Sequence, residues 1–427
     1  MTTDLRRLVP RTDAVLADPR VAAGVDRLGR ASVKAVVQQV QQQVRSGDVA
    51  PGDAVDAVVA ALPGTASSLR RVLNATGVLV HTNLGRAPWS PAAVEAVVAA
   101  SGTTDVELDL ATGRRGPRGE GAIDALLAAV PAAEAAIVVN NCAAALALVA
   151  TCLGGELVVA RGELVEIGDG FRIPDLLEST GARLREVGTT NRVTLADYAA
   201  AVGPGTGAVL KIHPSNFVVR GFTRAVEVGE LAGIGVPVVA DVGSGLLRPH
   251  PALPDEPDLQ TTLAAGADLV LSSGDKLIGG PQAGLVLGSA ALVQRLRRHP
   301  LYRALRVDKT TLAALEATLR GPEPPVHRML AATVEELRVR AAAVVAALDG
   351  LDAHVVEASS RVGGGGAPEF ELPSVAVSLP GSCAAALRQG TPPVVGHTAD
   401  GRTLLDLRSL DPADDGVLVA AVRACTS

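Results

Sequence analysis

One lysine stands where a buried strand ends, and the residues around it are suited to chemistry. The apolar run 268–271 predicts a core strand, Ser273 and Gly274 interrupt it, and Lys276 follows before a glycine-rich turn at 279–281. A partly desolvated lysine amine is a nucleophile that can bond to an aldehyde. Neighbouring hydroxyl and backbone N–H groups, including those of Ser273, can bind a phosphate. These features predict pyridoxal phosphate on Lys276; an ordinary lysine in a glycine-rich turn is the alternative.

An aspartate in another apolar run fits the same cofactor. Asp241 ends the run 236–241 and precedes Lys276 by 35 residues (276 − 241), which leaves room for one strand–helix–strand crossover. A carboxylate at this place could keep the pyridine nitrogen of the cofactor protonated, so that the ring accepts electrons from the substrate's α-carbon. A helix-capping aspartate is the simpler alternative. The pairing with Lys276 favours the cofactor role.

Two more strand ends carry candidate cofactor-binding residues. Asn141, Cys142 and Ala143 lead from an apolar run into an alanine-rich helix, whose free N–H groups could bind a phosphate. His213 follows another run and could stack on a ligand or donate a hydrogen bond to it. Local capping by Asn141 and by His213 is the competing interpretation in each case.

Three arginines are candidates for binding an anion. Arg86 ends the segment 81–86, and Arg303 and Arg306 are three residues apart. On a helix, that spacing predicts that both guanidinium groups lie on one face. Grouped guanidinium groups suit a dianion such as a phosphate, although a solvated surface cluster is the more common explanation.

Composition sets the class of protein. The 427 residues are 48% hydrophobic and 2% aromatic, so the core must consist of alanine, valine and leucine. The net charge of −6 argues against nucleic-acid binding by the whole surface, although residues 1–50 hold eight basic side chains against five aspartates. The four cysteines and seven histidines are dispersed, which predicts neither a metal site nor a disulfide framework. No signal peptide or membrane span is evident, so we expect a soluble, cytoplasmic protein with no membrane partner.

Hydrophobic periodicity divides the chain into three predicted domains. Residues 1–70 form a helical domain, in which valines from Val33 to Val44 repeat at helical spacing. Residues 71–306 alternate short apolar strands with helices, which is typical of a parallel sheet covered on both faces. Residues 307–427 predict an α+β domain with a helical stretch at 312–348 and a glycine loop at 363–366. The predicted strands are 78–80, 136–139, 156–160, 208–212, 236–241, 268–271, 374–379 and 403–407.

Longer motifs resemble one family. The chain is similar to the bacterial selenocysteine synthases, the L-seryl-tRNA(Sec) selenium transferases, and the matching segments occur in the family's order over nearly the whole chain. One of them is the Ser-Gly-Asp-Lys run at 273–276. The matching segments are 74–86, 161–168, 171–174, 186–192, 273–282, 303–309 and 400–408.

The resemblance implies an α/β fold of the fold-type I, aspartate aminotransferase-like class, with a small helical N-terminal domain and an α+β C-terminal domain. It implies that Lys276 carries pyridoxal phosphate, and that Arg86, Arg303 and Arg306 hold selenophosphate. The implied reaction converts L-seryl-tRNA(Sec) to L-selenocysteinyl-tRNA(Sec) through an aminoacrylyl intermediate. The N-terminal domain would engage the tRNA, and the protein would be a homo-oligomer built from dimers, typically a decamer.

Three departures from the family keep other functions open. Family members often have an aromatic residue and a histidine where this chain has Gly119 and Gly121. Cys142 replaces a common asparagine, and His397 a common arginine. One alternative is therefore a paralogous eliminase or lyase acting on a small amino acid or amino sugar acid. The other is a catalytically silent RNA-binding or scaffold protein, against which the presence of both Lys276 and Asp241 speaks.

Overall fold

The chain divides into two units, Met1–Arg71 and Val72–Ser427, and the computed structural model describes residues 8–168 and 170–426. The first unit is helical, as predicted. On its longest helix the valine stripe is buried at Val33, Val37, Val40 and Val44, and these side chains form the core of the unit. Its helices are α1 (Thr12–Leu16), α2 (Pro19–Leu28), α3 (Arg30–Ser46) and α4 (Ala54–Ala61).

The second unit contains the strands and the remaining helices. Its strands are β1 (Leu73–Asn74), β2 (Ala135–Val139), β3 (Glu156–Ala160), β4 (Glu166–Gly168), β5 (Phe171–Arg172), β6 (Arg183–Val187), β7 (Thr206–Ile212), β8 (Val238–Gly243), β9 (Leu269–Ser273), β10 (Gly284–Gly288), β11 (His354–Gly363), β12 (Gly366–Pro380), β13 (Val394–Val395), β14 (His397–Ala399) and β15 (Arg402–Asp406). Its helices are α5 (Pro91–Ser101), α6 (Glu120–Ala129), α7 (Cys142–Leu153), α8 (Ile173–Ser179), α9 (Leu195–Ala201), α10 (Val228–Leu231), α11 (Leu259–Ala264), α12 (Ala290–Arg298), α13 (Pro300–Ala304), α14 (Lys309–Arg320), α15 (Pro325–Ala331), α16 (Val334–Ala347), α17 (Cys383–Gln389) and α18 (Asp415–Thr426).

A seven-stranded sheet in the order β2-β10-β9-β8-β7-β3-β6 organises this unit. Strands β9, β8, β7, β3 and β6 are parallel, as predicted, and their apolar residues pack into separate cores on the two faces. Strand β10 is antiparallel to both neighbours, β2 and β9. The sheet is therefore mixed, because the short turn after Lys276 returns the chain beside β9 without the helix that a parallel crossover needs.

The predicted strand at 78–80 is wrong. Val78 makes only an isolated bridge to Arg361, and the N–H groups of Leu79 and Val80 donate to the carbonyls of Arg361 and Val362. Strand β1 lies earlier, where Leu73 and Asn74 pair with β13. Three apolar residues are too few to distinguish a strand from an extended segment held by another part of the chain.

The C-terminal part of this unit is α+β. Strands β11-β12-β15-β14 form an antiparallel sheet, and α16, α17 and α18 pack beside it. The predicted helical stretch is three helices, interrupted near Gly321 and again at Thr333, which starts α16 with a capping box. The glycine run forms the turn of the long β11–β12 hairpin, whose first strand the sequence did not predict. Helix α14 packs against α5 and α6, so the segment after residue 306 begins beside the large sheet's helices.

Neither a membrane helix nor a metal cluster occurs in the described chain. Within residues 8–168 and 170–426, no helix is long and apolar enough to cross a bilayer. The same residues contain no group of three or more histidine, cysteine, aspartate or glutamate side chains that could hold a metal ion. The four cysteines are free thiols.

Candidate active site

Lys276 and Asp241 line the same cavity at the carboxyl edge of the parallel strands. Lys276 follows β9, and Asp241 lies inside the neighbouring strand β8, in register with Leu271. A Cβ atom placed on Gly243 would lie 3.7 Å from Asp241 Oδ1 and 3.8 Å from Lys276 Nζ, so the two groups flank one point. The alternative that Asp241 caps a helix is wrong, because the residue belongs to a strand. The crossover predicted between the two residues is confirmed, and α11 lies in it.

The cavity is small and mostly apolar away from these two residues. With its open mouth it encloses about 450 Å³ of space not filled by protein. The β4–β5 hairpin contributes Ile167 and Phe171, and the carboxyl ends of the strands contribute the polar groups. The lining residues are Cys142, Ala143, Leu146, Val165, Ile167, Phe171, Ile173, Leu176, Ile212, His213, Ser215, Asp241, Gly243, Ser273 and Lys276.

The charged groups of the cavity are poorly solvated. The Cys142 thiol donates a hydrogen bond to Asp241 Oδ1, with 3.4 Å between sulfur and oxygen. Burial raises the pKa of Asp241 above its usual value, and the opposing effects of nearby Lys276 and the Cys142 thiol do not cancel that rise. Burial and the Asp241 charge also raise the pKa of Cys142 well above its usual value. Cys142 is therefore a neutral hydrogen-bond donor at neutral pH, not a thiolate nucleophile.

Helix α7 begins beside the cavity. The Asn141 side chain accepts a hydrogen bond from the Ala144 N–H at 2.8 Å, so Asn141 is the N-cap, as its alternative interpretation predicted. Capping occupies the Asn141 side-chain oxygen, and the N–H groups of Cys142 and Ala143 in the first turn remain available as donors. Ser273 also lines the cavity and adds its hydroxyl group.

His213 is next to a glutamate that the sequence analysis missed. The residue follows β7, its N–H donates to the Asp241 carbonyl at 2.9 Å, and its ring lines the cavity. Its Nε2 atom lies 3.6 Å from Glu256 Oε2, and the Glu256 side chain is only 2% exposed. Both His213 Nε2 and Glu256 Oε1 are buried without a hydrogen-bond partner in the described chain. Glu256 Oε2 also accepts from the Ala367 N–H at 2.7 Å, which ties it to β12.

The turn of the β11–β12 hairpin lies beside two residues of the cavity, Lys276 and Ser215. Gly365 has a φ of +86°, and a Cβ atom placed on it would lie 3.0 Å from Lys276 Nζ and 3.4 Å from Ser215 Oγ. Glycine suits this approach, because a side chain at this φ would strain the backbone and its Cβ atom would crowd Lys276 Nζ. The sequence predicted only a loop at this glycine run, and the structure brings that loop to the lysine.

Arg86 is held close to the lysine by an ion pair. Its Nη1 atom donates to Asp275 Oδ2 at 2.5 Å, and Asp275 is the residue before Lys276. The backbone of Arg86 is in the left-handed region, with a φ of 65°, and its N–H donates to the His81 carbonyl. A non-glycine residue in this region costs about 1–3 kcal/mol, which the surrounding contacts must offset. The hydrogen bond from its N–H group and the ion pair with Asp275 together fix Arg86 beside the lysine loop.

The helical pairing predicted for Arg303 and Arg306 is wrong. Helix α13 ends at Ala304, so Arg306 lies beyond it and forms a bridge with Val139 at the end of β2. Arg306 Nη1 is 3.6 Å from Glu107 Oε1, whereas Arg303 is exposed and makes no hydrogen bond or ion pair within the described residues. Leu305 stops the helix with a non-helical backbone, and its carbonyl accepts from the Asn140 N–H.

The two glycine departures lie against α14. A Cβ atom on Gly119 would lie 2.8 Å from Leu312 side-chain atoms, and one on Gly121 would lie 2.4 Å from Glu316 Oε2. Gly119 also has a φ of +69° at the start of α6. Side chains of α14 therefore fill the space that a larger residue at either position would enter. These glycines line a cleft between α5, α6 and α14 and do not line the lysine cavity.

The cavity residues fit the cofactor predicted from the sequence. Three groups that suit this cofactor lie around one space: an amine at Lys276, a carboxylate at Asp241 and a helix N-terminus at Cys142. The Nε2 atom of His213, which lines the same cavity, is buried without a hydrogen-bond partner in the described chain. Such orphaned groups normally find a hydrogen-bond partner, and a polar ligand would supply one.

Comparison with known proteins places the chain in a family. The family model described as L-seryl-tRNA selenium transferase matches residues 72–411, and the model described as selenocysteine synthase N terminal matches residues 6–45. A relative from Geobacter sulfurreducens named L-seryl-tRNA(Sec) selenium transferase is 43% identical, with 98% of this chain and 99% of the relative covered. One of the same name from Nitratidesulfovibrio vulgaris is 46% identical, with 83% and 81% covered.

A solved structure shows the same fold. The structure of D-glucosaminate-6-phosphate ammonia-lyase superimposes with a TM-score of 0.60 at 18% identity, covering 84% of this chain and 96% of the other. At that identity the likeness shows the fold alone, and the predicted fold-type I class is confirmed. The two family models and the relative matched over its full length show that the chain belongs to the L-seryl-tRNA(Sec) selenium transferase family.

Proposed function

We propose that this protein converts L-seryl-tRNA(Sec) to L-selenocysteinyl-tRNA(Sec), with selenophosphate as the selenium donor and pyridoxal phosphate as the cofactor. The observation that carries the proposal is the single cavity shared by the Lys276 amine and the Asp241 carboxylate, in a chain related over its full length to enzymes of that name. Neither residue alone is specific, but an amine just past one strand and an aspartate on the parallel strand beside it are what this cofactor requires.

Each residue predicted from the sequence to bind the cofactor has a proposed part in binding or proton transfer. When bound, pyridoxal phosphate supplies an electron-accepting ring. Lys276 holds the cofactor through Nζ, and the same atom, once free, removes the proton from the substrate's α-carbon. Asp241 holds a proton on the ring nitrogen, while the N–H groups of Cys142 and Ala143 and the Ser273 hydroxyl bind the phosphate. His213 orients the ring, and Asn141 keeps the start of α7 in place.

Arg86, Arg303 and Arg306 are proposed to bind and orient selenophosphate. Arg86 is fixed beside the lysine loop by Asp275, and the backbone of Arg306 lies beside the end of β2, directly before Asn140. The exposed Arg303 guanidinium keeps its full donor capacity within the described chain. The substrate is an ester without a free carboxylate, so these arginines are available for the phosphoryl group.

We further propose three domains, 1–70, 71–306 and 307–427, with the first engaging the tRNA, and a cytoplasmic homo-oligomer built from dimers, possibly a decamer. Large apolar side chains that the single chain leaves in solvent support an oligomer: Phe222 is 88% exposed and Leu110 is 73% exposed. Light scattering on the purified protein at several concentrations tests this; a concentration-independent monomer contradicts it.

Covalent trapping tests the cofactor assignment. Borohydride reduction followed by peptide mass mapping is expected to place a pyridoxyl group on Lys276, and Lys276→Ala should abolish it. Lys211→Ala is the matched control, because Lys211 is also partly buried but pairs with Glu163 at 2.5 Å. A pyridoxyl group on another lysine, or on none, contradicts the assignment.

Substrate specificity distinguishes the proposal from an eliminase. The glycines at 119 and 121 are the observation that favours this second candidate, because they change a loop that the family often keeps. We expect selenium transfer with seryl-tRNA(Sec) and selenophosphate, and no product from free serine or amino sugar acids. The reverse pattern would assign the chain to the eliminases, and tRNA binding without cofactor uptake would assign it to silent RNA-binding proteins.

A further inference from the structure

Three arginines, one of which is Arg306, surround the carboxylate of Glu107. Arg115 Nη2 donates to Glu107 Oε2 at 2.7 Å, and Arg118 Nη1 donates to Glu107 Oε1 at 3.4 Å. Arg306 Nη1 lies 3.6 Å from the same Oε1 atom. We call Glu107, Arg115, Arg118 and Arg306 the Glu107 cluster. It holds three positive charges and one negative charge, so two positive charges remain uncompensated.

Arg118 is the best-fixed guanidinium of this cluster. Its Nη2 atom donates to the Val307 carbonyl at 3.0 Å, and its Nε atom is buried without a partner in the described chain. The side chain is 21% exposed, against 77% for Arg115 and 33% for Arg306. A fixed guanidinium loses little freedom when it binds an anion, and an unpartnered buried N–H can still donate.

Glu107 itself occupies the position of an anion. The neighbouring Arg115 and Arg118 lower the pKa of its carboxyl group below the usual value, so the group is ionised at neutral pH. Its two oxygens accept from guanidinium groups in the way that phosphate oxygens do. A bound oxyanion and this carboxylate therefore compete for the same donors.

We propose that Arg118 is a further binding residue for the phosphoryl group of the selenium donor, and that Glu107 is an internal competitor which that group displaces. This inference rests on the function proposed above, because Arg306 is one of the arginines assigned to selenophosphate. Once Glu107 is displaced, three guanidinium charges remain, and they match a dianionic phosphate better than a phosphodiester of the tRNA backbone, which carries one charge.

Phosphate binding tests the inference without the reaction. The full-length holoenzyme is titrated with inorganic phosphate by calorimetry, and Glu107→Gln is expected to bind it about tenfold more tightly than the wild type. Arg118→Met should bind about tenfold more weakly, with Arg118→Lys in between. Arg248→Met is the matched control, because Arg248 also donates to a backbone carbonyl, that of Ala129, but not to Glu107. It should bind phosphate as the wild type does.

Several outcomes would overturn the inference. If Glu107→Gln and a second variant, Glu107→Ala, bind phosphate no more tightly than the wild type, Glu107 does not compete with phosphate. If Arg118→Met binds phosphate as tightly as the wild type, Arg118 is not a binding residue. Tighter binding of dimethyl phosphate than of phosphate would assign the Glu107 cluster to the tRNA backbone. Absence of selenium transfer with the expected phosphate pattern would reject the proposed function and leave the oxyanion site intact, so the two failures are distinguishable.

Discussion

At the scale of single residues, Asp241 is a carboxylate that the protein solvates poorly. It lies in β8, faces a small cavity and accepts a hydrogen bond from the Cys142 thiol. Burial raises its pKa, so without a cofactor the folded protein holds a proton on this carboxyl group more strongly than the unfolded chain does. A protonated ring nitrogen would reverse this preference by supplying a positive charge. The residue thus costs stability in one state of the protein and contributes to ligand binding in the other.

This predicts that Asp241→Asn stabilises the cofactor-free protein at neutral pH. The unfolded aspartate ionises near pH 4, before the folded one, so the wild type loses stability as pH rises from about 4 to the folded pKa. Asparagine does not ionise, so the variant does not lose stability in this pH range. Urea unfolding should show a larger free energy of unfolding for the variant than for the wild type at pH 7, with a smaller difference near pH 4.

Asp124 is exposed, so Asp124→Asn serves as the control. This variant should have nearly the same free energy of unfolding as the wild type at either pH. The same Asp241→Asn variant should bind pyridoxal phosphate more weakly than the wild type. An equal difference in stability at both pH values would contradict the role of ionisation.

Glu256 is a second residue whose buried oxygens connect two parts of the site. Glu256→Ala leaves the Ala367 N–H without its acceptor and His213 without its neighbour, so it should lower the free energy of unfolding by about 2–3 kcal/mol. Glu256→Gln keeps an acceptor oxygen and should cost about 1 kcal/mol. Urea unfolding of both variants measures this. Equal losses would show that the charge, not the hydrogen bond to Ala367, matters.

At the scale of elements, the β11–β12 hairpin brings the C-terminal sheet to the lysine. Gly365→Ala would place a Cβ atom 3.0 Å from Lys276 Nζ at a φ of +86°. We expect a loss of stability of about 1 kcal/mol from the backbone alone and, in addition, weaker binding of pyridoxal phosphate. Unfolding and cofactor titration measure the two effects separately.

Gly401→Ala is the matched control for this prediction. Gly401 has a φ of +72°, but a Cβ atom placed there would have no neighbour within 4 Å. It should therefore show the backbone cost without the loss of cofactor affinity. Equal cofactor affinity in both variants would mean that the hairpin turn does not shape the site.

The sequence predicted the parts of the site that depend on local pattern. Apolar runs followed by Lys276, Asn141 and His213 located the strand ends, because burial and turns leave a local signal. Glu107 and Glu256 left none, since their importance comes from partners that are distant in sequence. The prediction of a helix through Arg306 was wrong for a different reason. A spacing of three residues cannot show where a short helix ends.

At the scale of the whole molecule, charge and cores are divided between two units. The first unit has its own valine core, and several of its basic side chains are exposed, including Lys34 and Arg45. The second unit contains every residue proposed for the lysine cavity. A protein with a net charge of −6 can still attract RNA through such a local basic surface, because salt screens interactions beyond about 10 Å.

A chain without residues 1–71 should therefore keep the cofactor and lose the tRNA. We expect the truncated protein to retain pyridoxal phosphate on Lys276 by borohydride trapping, because its cores contain no residue of the first unit. Its affinity for tRNA(Sec), measured by filter binding, should fall at least tenfold, since the phosphate contacts of the basic helices are gone.

A less drastic variant separates charge from folding. Lys34→Glu with Arg45→Glu in the full chain should weaken tRNA binding and flatten its dependence on salt, because fewer counterions are released from the RNA. Asp26→Asn, on the same unit, is the control and should bind no more weakly than the wild type. If the truncated chain binds tRNA(Sec) as tightly as the full chain, the second unit carries the recognition and the proposed role of the first is wrong.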